Sequence, residues 1–225
     1  MSLPFAQKIT APFTAGTTRP LITLELSPPK GTDVEAFVQR AKTLTGLVDA
    51  INIPDCQRSV LKMSSLVAAN IIEARTGIDT VWQLSCRDRN IIALQADLMG
   101  GYALGLRTLL ALTGDPVQVG DQTDVATQVF HLDSLRLLDL VQSMNAGKDA
   151  TGKALKKSGT DFVVGAALNP FRLSNPAQQA RLRQKLERGV CFFQTQPVYE
   201  VDPVLRMNDL LAQLAGEVGC PTPKV

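Results

Sequence analysis

Residues 108–116 read TLLALTGDP. From Leu109 to Thr113 nothing is charged, and then a glycine, an acid and a proline arrive together. A short apolar run bounded by turn formers fits a strand buried on both faces, which is how the strands of a parallel sheet read. The run starts at Arg107 and has five counterparts: LITLELS from Leu21, VDAINI from Val48, DTVWQLSC from Asp79, DFVVGAAL from Asp161 and VCFFQTQ from Val190. Their starts lie about 28 residues apart, except for one interval of about twice that, a spacing close to the βα unit of a (β/α)8 barrel.

Segments with helical spacing separate the runs. EAFVQRAKTLTG puts Phe37, Val38, Ala41 and Leu44 on one side; RSVLKMSSLVAANIIEARTG does so with Val60, Met63, Leu66, Val67 and Ile71, and ends in Gly77 where a cap belongs. NIIALQADLMGGYALG, SLRLLDLVQSMNAG and NPAQQARLRQKLERG also close on glycine. The long interval calls for more than one helix, with PVQVGDQTDVATQVFHLD as a loop added after the fourth strand. Strand and helix alternate throughout, so the expected fold is α/β with right-handed crossovers and a parallel sheet. A doubly wound sheet is the alternative, but SPPKGTD rather than a GxGxxG turn follows the first run, which favours the barrel. Only six units are visible, and CPTPKV reads as a turn into a seventh strand beginning at Lys224 or Val225. The expectation is a single (β/α)8 TIM barrel domain over residues 1–225, truncated after about six βα units, with residues 1–19 as an N-terminal extension.

Composition narrows the function classes. With 45% hydrophobic and 20% charged residues the chain reads as a globular protein, and a net charge of +2 gives no electrostatic argument for nucleic acid or a membrane surface. Cys56, Cys86, Cys191 and Cys220 form no CxxC pair, so neither a zinc ribbon nor a dithiol motif is present, and free thiols fit a reducing, cytoplasmic compartment. MSLPFAQKITAPF lacks the charged n-region and long apolar h-region of a signal peptide, and no apolar run reaches the ~18 residues of a membrane span. His131 is the sole histidine, which excludes HExxH and three-histidine metal sites, and no GxSxG supports a triad built on it. The GGYALG segment follows a helix and precedes a strand, the reverse of a nucleotide loop, so it reads as a helix end and tight turn.

In a barrel the carboxyl ends of the strands converge on the functional face. That places Glu25, Asn52, Asp55, Gln83, Ser85, Asp115, Asn169, Thr195 and Gln196 together. Glu25, flanked by leucines on a central strand, either faces a polar cavity with a raised pKa suited to a general acid or pairs with a structural lysine or arginine. Asp115 is a functional acid or a turn former and helix cap. Gln196 suits the amide edge of a heterocycle, or caps a loop.

ELSPPKG at 25–31, LSCRDRN at 84–90, ALGLRTLLALTGDP at 103–116, VFHLDSLRLL at 129–138, GAALNP at 165–170, KLERG at 185–189 and QTQPVY at 194–199 together resemble the methylenetetrahydrofolate reductase family, in order and with barrel spacing. The resemblance implies a (β/α)8 barrel carrying a flavin, usually FAD, that passes hydride from a reduced nicotinamide, or another electron donor, to 5,10-methylenetetrahydrofolate. It implies that Glu25 is the acid that opens the imidazolidine ring, that Asp115 lies near the flavin pyrimidine and the pterin, and that Gln196 hydrogen-bonds the folate. Gln83, Leu112, Thr113, Gly114, Asp115, Phe130, His131, Ala166 and Lys185 fall at flavin-contact positions. The chain departs from the family at Pro54 and Asp55, at Gln83 where members have histidine, and at Gln184 beside the family lysine. These departures touch the flavin side, so FMN stands as an alternative to FAD. CRDRN resembles members partnered with other one-carbon enzymes, which leaves open a homo-oligomer, a partnered enzyme, or a non-catalytic folate- or flavin-binding subunit.

Overall fold

The six apolar runs become six parallel strands. The computed structural model describes residues 4–11, 19–156 and 159–225. Its strands are β1 (Thr23–Glu25), β2 (Ala50–Ile53), β3 (Thr80–Ser85), β4 (Thr108–Leu112), β5 (Val163–Leu168) and β6 (Phe192–Thr195). A helix follows each: α2 (Glu35–Lys42), α3 (Ser65–Thr76), α4 (Ile91–Ala103), α5 (Ser134–Asn145), α6 (Pro176–Glu187) and α7 (Val201–Val218), while α1 (Phe5–Thr10) precedes β1. The sheet order is the chain order, β1 to β6, with every neighbouring pair parallel. A doubly wound sheet reverses direction at a switch point; this one does not, and the architecture is an open arc of a (β/α)8 barrel. Beyond β6, Lys224 forms a parallel bridge with Phe192, and its carbonyl accepts the Phe193 N–H at 2.7 Å, where the sequence placed the start of a further strand.

Alternation along each strand builds two layers of core. Outward-facing Ile51, Ile53, Trp82, Leu84, Leu109, Ala111, Val164 and Phe193 pack under the helices against Val38, Ile72, Leu94, Leu98, Leu137 and Leu186. Side chains of this size contribute roughly 1.5–3 kcal/mol each when fully buried. Inward-facing Ala50, Val81, Leu110 and Phe192 meet Phe5 and Ile9 of α1, which close the base of the arc. Gly165, inward on β5, lies under the Phe192 ring, and a methyl group there would overlap the ring carbons. Helices α4, α5 and α6 start on side-chain caps: Asn90 accepts from the Ile92 and Ala93 amides, Asp133 from Arg136, and Asn175 from Ala177.

Three elements differ from expectation. Helix α3 starts at Ser65, so Val60 and Met63 lie in the loop before it, and its buried face is Ser65, Ala68, Ala69 and Ile72 while Val67 is exposed. The two alanines let the helix lie close to the sheet, a face that a search for bulky apolar residues overlooks. Among its described residues the long interval holds one α-helix, α5, with a 3-10 turn at Val117–Val119 and an antiparallel bridge between Lys148 and Ala154. Residues 1–3 and 12–18 of the segment read as an N-terminal extension lie outside the described residues; the remainder includes α1, whose Phe5 and Ile9 are buried.

Two carboxylates at the starts of strands hold α1 in place. Asp79 accepts the Phe5 N–H at 2.6 Å, and Asp49 accepts from Lys8 at 2.8 Å, from both Arg19 guanidinium nitrogens at 2.8 Å and from the Ile22 amide at 2.9 Å. Burial acts to raise the Asp49 carboxyl, and the Arg19, Lys8 and Ile22 hydrogen bonds outweigh it, holding the group well below the usual carboxylate range. A depressed carboxyl pKa stabilises the fold above the unfolded value near ~4, and this stabilisation is lost as pH falls below it toward the folded value. Asp49→Ala is expected to cost about 2 kcal/mol in urea unfolding at pH 7, less than a fully buried pair because Arg19 stays in solvent, with the difference from the parent shrinking below pH 4. Gly165→Val is expected to lower stability by at least about 2 kcal/mol through overpacking against Phe192, and a melting temperature equal to the parent's would contradict the lumen packing.

Candidate functional site

The carboxyl ends of all six strands open on one face, and the loops leaving them are tied to each other. At the end of β2, Asp55 is buried and saturated: it accepts from the Ser85 amide at 2.9 Å, the Ser85 hydroxyl at 2.8 Å and the Arg89 guanidinium at 2.6 Å. Arg89 is held in turn by Asp97 at 2.7 Å. The departure at Asp55 thus belongs with the CRDRN stretch that supplies Arg89: the two form one largely buried ion pair joining the end of β2 to the segment after β3. Asn52 and Gln83 are buried on the inner face, with Asn52 donating to the Thr23 hydroxyl at 3.0 Å.

The turn after β4 is built for close approach. Gly114 has φ +97°, and a Cβ there would sit 3.0 Å from the Arg87 Cβ and 3.1 Å from the Ser85 Cβ, so both conformation and space demand glycine. Leu112 ends the inner row. The Thr113 hydroxyl accepts the Ser134 amide at 3.1 Å, linking β4 to the first turn of α5. Asp115 is exposed, and its Oδ2 accepts the Arg58 backbone N–H at 2.7 Å. Asp115 thus caps the neighbouring loop and not the segment that follows it, while remaining open to solvent.

Two clefts lie at this end of the sheet. One, of about 420 Å³, is lined by Thr113, Phe130, His131, Leu132, Asp133 and Arg136. The Val129 and Phe130 amides both donate to the Arg87 carbonyl, Phe130 adopts φ +39°, and the His131 Nδ1 accepts the Ile91 amide at 3.4 Å. The other, of about 410 Å³, lies between the end of β5 and α6 and holds Asn169, Arg172, Gln178, Arg181, Lys185 and Gln196 among its lining residues. Arg181 stands between the two, within 3.4 Å of the Asp133 carboxylate and 3.3 Å of the Ser134 hydroxyl. Thr113, Phe130 and His131 thus share one cleft, and Lys185 and Gln196 share the other.

Two expected site residues are placed otherwise. Glu25 is exposed at the end of β1, which is an edge strand, so the heavy desolvation expected of a carboxylate on a central strand is not found in this arc. Ala166 is fully buried in the sheet–helix layer, paired with Ala111 and Phe193, because alternation along β5 turns its methyl outward. Conversely, Arg172 and Arg181 were not singled out from the sequence. The signal for Arg181 lies in ARLRQKLERG, where Arg181 and Lys185, four residues apart, occupy one helical face.

Electrostatically, the cleft against α6 is cationic. The Lys185 ammonium is buried, donates to the Ala167 carbonyl at 2.6 Å, and is pushed down to about 8 by burial and by the Arg181 charge. Cys86 is buried with its thiol pushed up to about 12 by burial and the Asp133 charge, so it is no nucleophile at neutral pH. No group of three His, Cys, Asp or Glu suited to a metal ion occurs among the described residues, and none of the described helices is long and apolar enough to cross a membrane. Three cationic side chains with amides from Asn169, Gln178 and Gln196 suit a phosphate-bearing ligand. Because Lys185 loses its charge above pH 8, inorganic pyrophosphate affinity is expected to fall as pH rises from 7 to 9, and Lys185→Met should remove that pH dependence along with at least about tenfold of the affinity at pH 7. Titration calorimetry at the two pH values checks both statements.

Comparison with known proteins bears on this geometry. The family model described as methylenetetrahydrofolate reductase matches residues 11–221. A search of curated proteins gives no match. Among solved structures, a protein from Clostridium thermocellum described as uncharacterized and binding two copies of 5-methyl-5,6,7,8-tetrahydrofolic acid superposes with a TM-score of 0.58 at 15% identity, over 97% of this chain and 67% of that one. A 2,3-dimethylmalate lyase, described as a PEP mutase/isocitrate lyase superfamily member, gives a TM-score of 0.52 at 13% identity, over 91% of this chain and 64% of that one. At such identities these structures speak for the fold alone, and the chain spans about two thirds of their length.

Proposed function

The chain belongs to the methylenetetrahydrofolate reductase family, and we propose that it is a flavin-dependent oxidoreductase that reduces 5,10-methylenetetrahydrofolate to 5-methyltetrahydrofolate. The observation that carries this reading is a cationic cleft holding Arg172, Arg181, Lys185 and Gln196 next to a second cleft lined by Thr113, Phe130 and His131, with Arg181 reaching Asp133 between them. The folate bound by the Clostridium thermocellum structure is a second support for the ligand class.

The residues present fit a flavin nucleotide. Arg172, Arg181 and Lys185 would hold its phosphates, and Phe130 and His131 would flank an aromatic ring. When bound, the flavin supplies a store for the hydride that passes from a reduced nicotinamide or other donor to the folate. FAD is the favoured form, with FMN the alternative. The two-cleft arrangement supports FAD, since it offers an aromatic-lined space beyond the phosphate-binding cations.

The chain's own residues then act on the folate. Asp115, fixed by the Arg58 amide, presents its other oxygen to the amino and ring N–H donors of the pterin. Gln196, beyond β6, offers both a donor and an acceptor to the remaining pterin edge. Glu25 protonates the imidazolidine ring nitrogen, so that the ring opens to an iminium able to accept hydride. Its exposure in this arc favours one second reading, a folate- or flavin-binding subunit that turns over only with a partner.

The test is spectroscopic. Protein loaded with FAD is expected to bleach with a reduced donor and regain its colour with methylenetetrahydrofolate; failure to bind added flavin and to reduce the folate would overturn the proposal. Recovery only after a one-carbon partner enzyme is added would favour the subunit reading. Glu25→Gln is expected to slow reoxidation by the folate by at least about a hundredfold while leaving reduction by the donor within about twofold; equal losses in both half-reactions would remove Glu25 from the acid role.

A further inference from the structure

The loop between β2 and α3 is strained in a way the proposed chemistry does not explain. Cys56, Arg58 and Ser59 have φ of 45°, 55° and 57°, a left-handed conformation that costs non-glycine residues roughly 1–2 kcal/mol each. Such a cluster persists only where its surroundings impose it. Here the loop after β4 does so through two adjacent residues. Gly120 lies against the Ser59 carbonyl so closely that a methyl group on it would overlap that oxygen, although its own φ of −102° is open to any residue. Asp121 accepts the Leu61 amide at 3.1 Å with one oxygen and pairs with Lys30, from the loop after β1, at 2.5 Å with the other. The strained turn so held points the Arg58 N–H at the Asp115 carboxylate, 2.7 Å away.

We propose that Gly120 and Asp121 are positioning residues for Asp115: they hold the strained Cys56–Ser59 turn so that the Arg58 amide fixes the Asp115 carboxylate for its folate ligand. The inference rests on the folate reading above. In its mechanism neither residue touches the ligand, and both act through the Arg58 hydrogen bond. Gly120→Ala pushes the Ser59 carbonyl away, and Asp121→Asn gives up the ion pair with Lys30.

The test is a double-mutant cycle on the flavin-loaded full chain, with 5-methyltetrahydrofolate binding measured by calorimetry. Gly120→Ala and Asp121→Asn are each expected to weaken binding about tenfold in the parent, and by less than about twofold in an Asp115→Asn background, where the residue they position is already altered. Equal factors in both backgrounds, or no weakening in the parent, would overturn the proposal, because a merely structural role would act independently of Asp115. Should the parent bind no folate at all, the functional reading fails, and the positioning claim is decided by exchange of the Arg58 amide. Protection in the parent that drops at least about tenfold in both variants supports it, and unchanged exchange overturns it.

Discussion

The parallel ladder taken in chain order is the constraint on which everything else rests. Because each strand pairs with the next and all run the same way, every strand must end on the same side, whatever residues it carries. Period-two alternation then decides which residues reach the lumen. Leu110, Gly165 and Phe192 share one inward level, and one position further on Ala111, Ala166 and Phe193 share an outward one. A single-residue slip of β5 would exchange these rows, exposing Val164 and Ala166 to the lumen and pushing the site-facing residues under α5 and α6.

Local signals of this kind are what the sequence carries well. Six short apolar runs, separated by five intervals of which only one departs from about 28 residues, are enough to locate β1 to β6, and terminal glycines mark helix ends such as Gly77 and Gly189, both left-handed. Residues just beyond a strand, such as Asp115 and Gln196, were legible because their position follows from the strand alone. What could not be read depends on pairings distant in sequence. Asp55 looks like a change at a ligand position until it is found bonded to Ser85 and Arg89. Glu25 looks buried in LEL, but its burial depends on a second neighbour for β1, which no residue of LEL encodes. Ala166 was assigned through a motif, and motif matching ignores which way a side chain alternates.

Carboxylates organise both ends of the arc, by different means. At the base, Asp49 and Asp79 accept from the helix that closes it, and at Asp49 the hydrogen bonds from Arg19, Lys8 and Ile22 outweigh burial. At the mouth, Asp55 binds a backbone amide at the end of β3, and Asp115 and Asp121 each bind one on another loop, which fixes the rim to the sheet without covering it with apolar bulk. The rim is thus ordered by hydrogen bonds that leave its clefts open to solvent.

The latch on α1 also bears on the order of assembly. Lys224 reaches back to the Lys8 carbonyl at 2.5 Å, a contact spanning 216 residues, whereas every strand pair joins sequence neighbours. Strand pairing can therefore proceed stepwise as the chain leaves the ribosome, each step closing a modest loop. The N-terminal helix cannot complete its docking until nearly all of the described chain is available. Until then Phe5 and Ile9 have only part of their final apolar surroundings, so a segment synthesised before every strand it packs against is among the last to be locked.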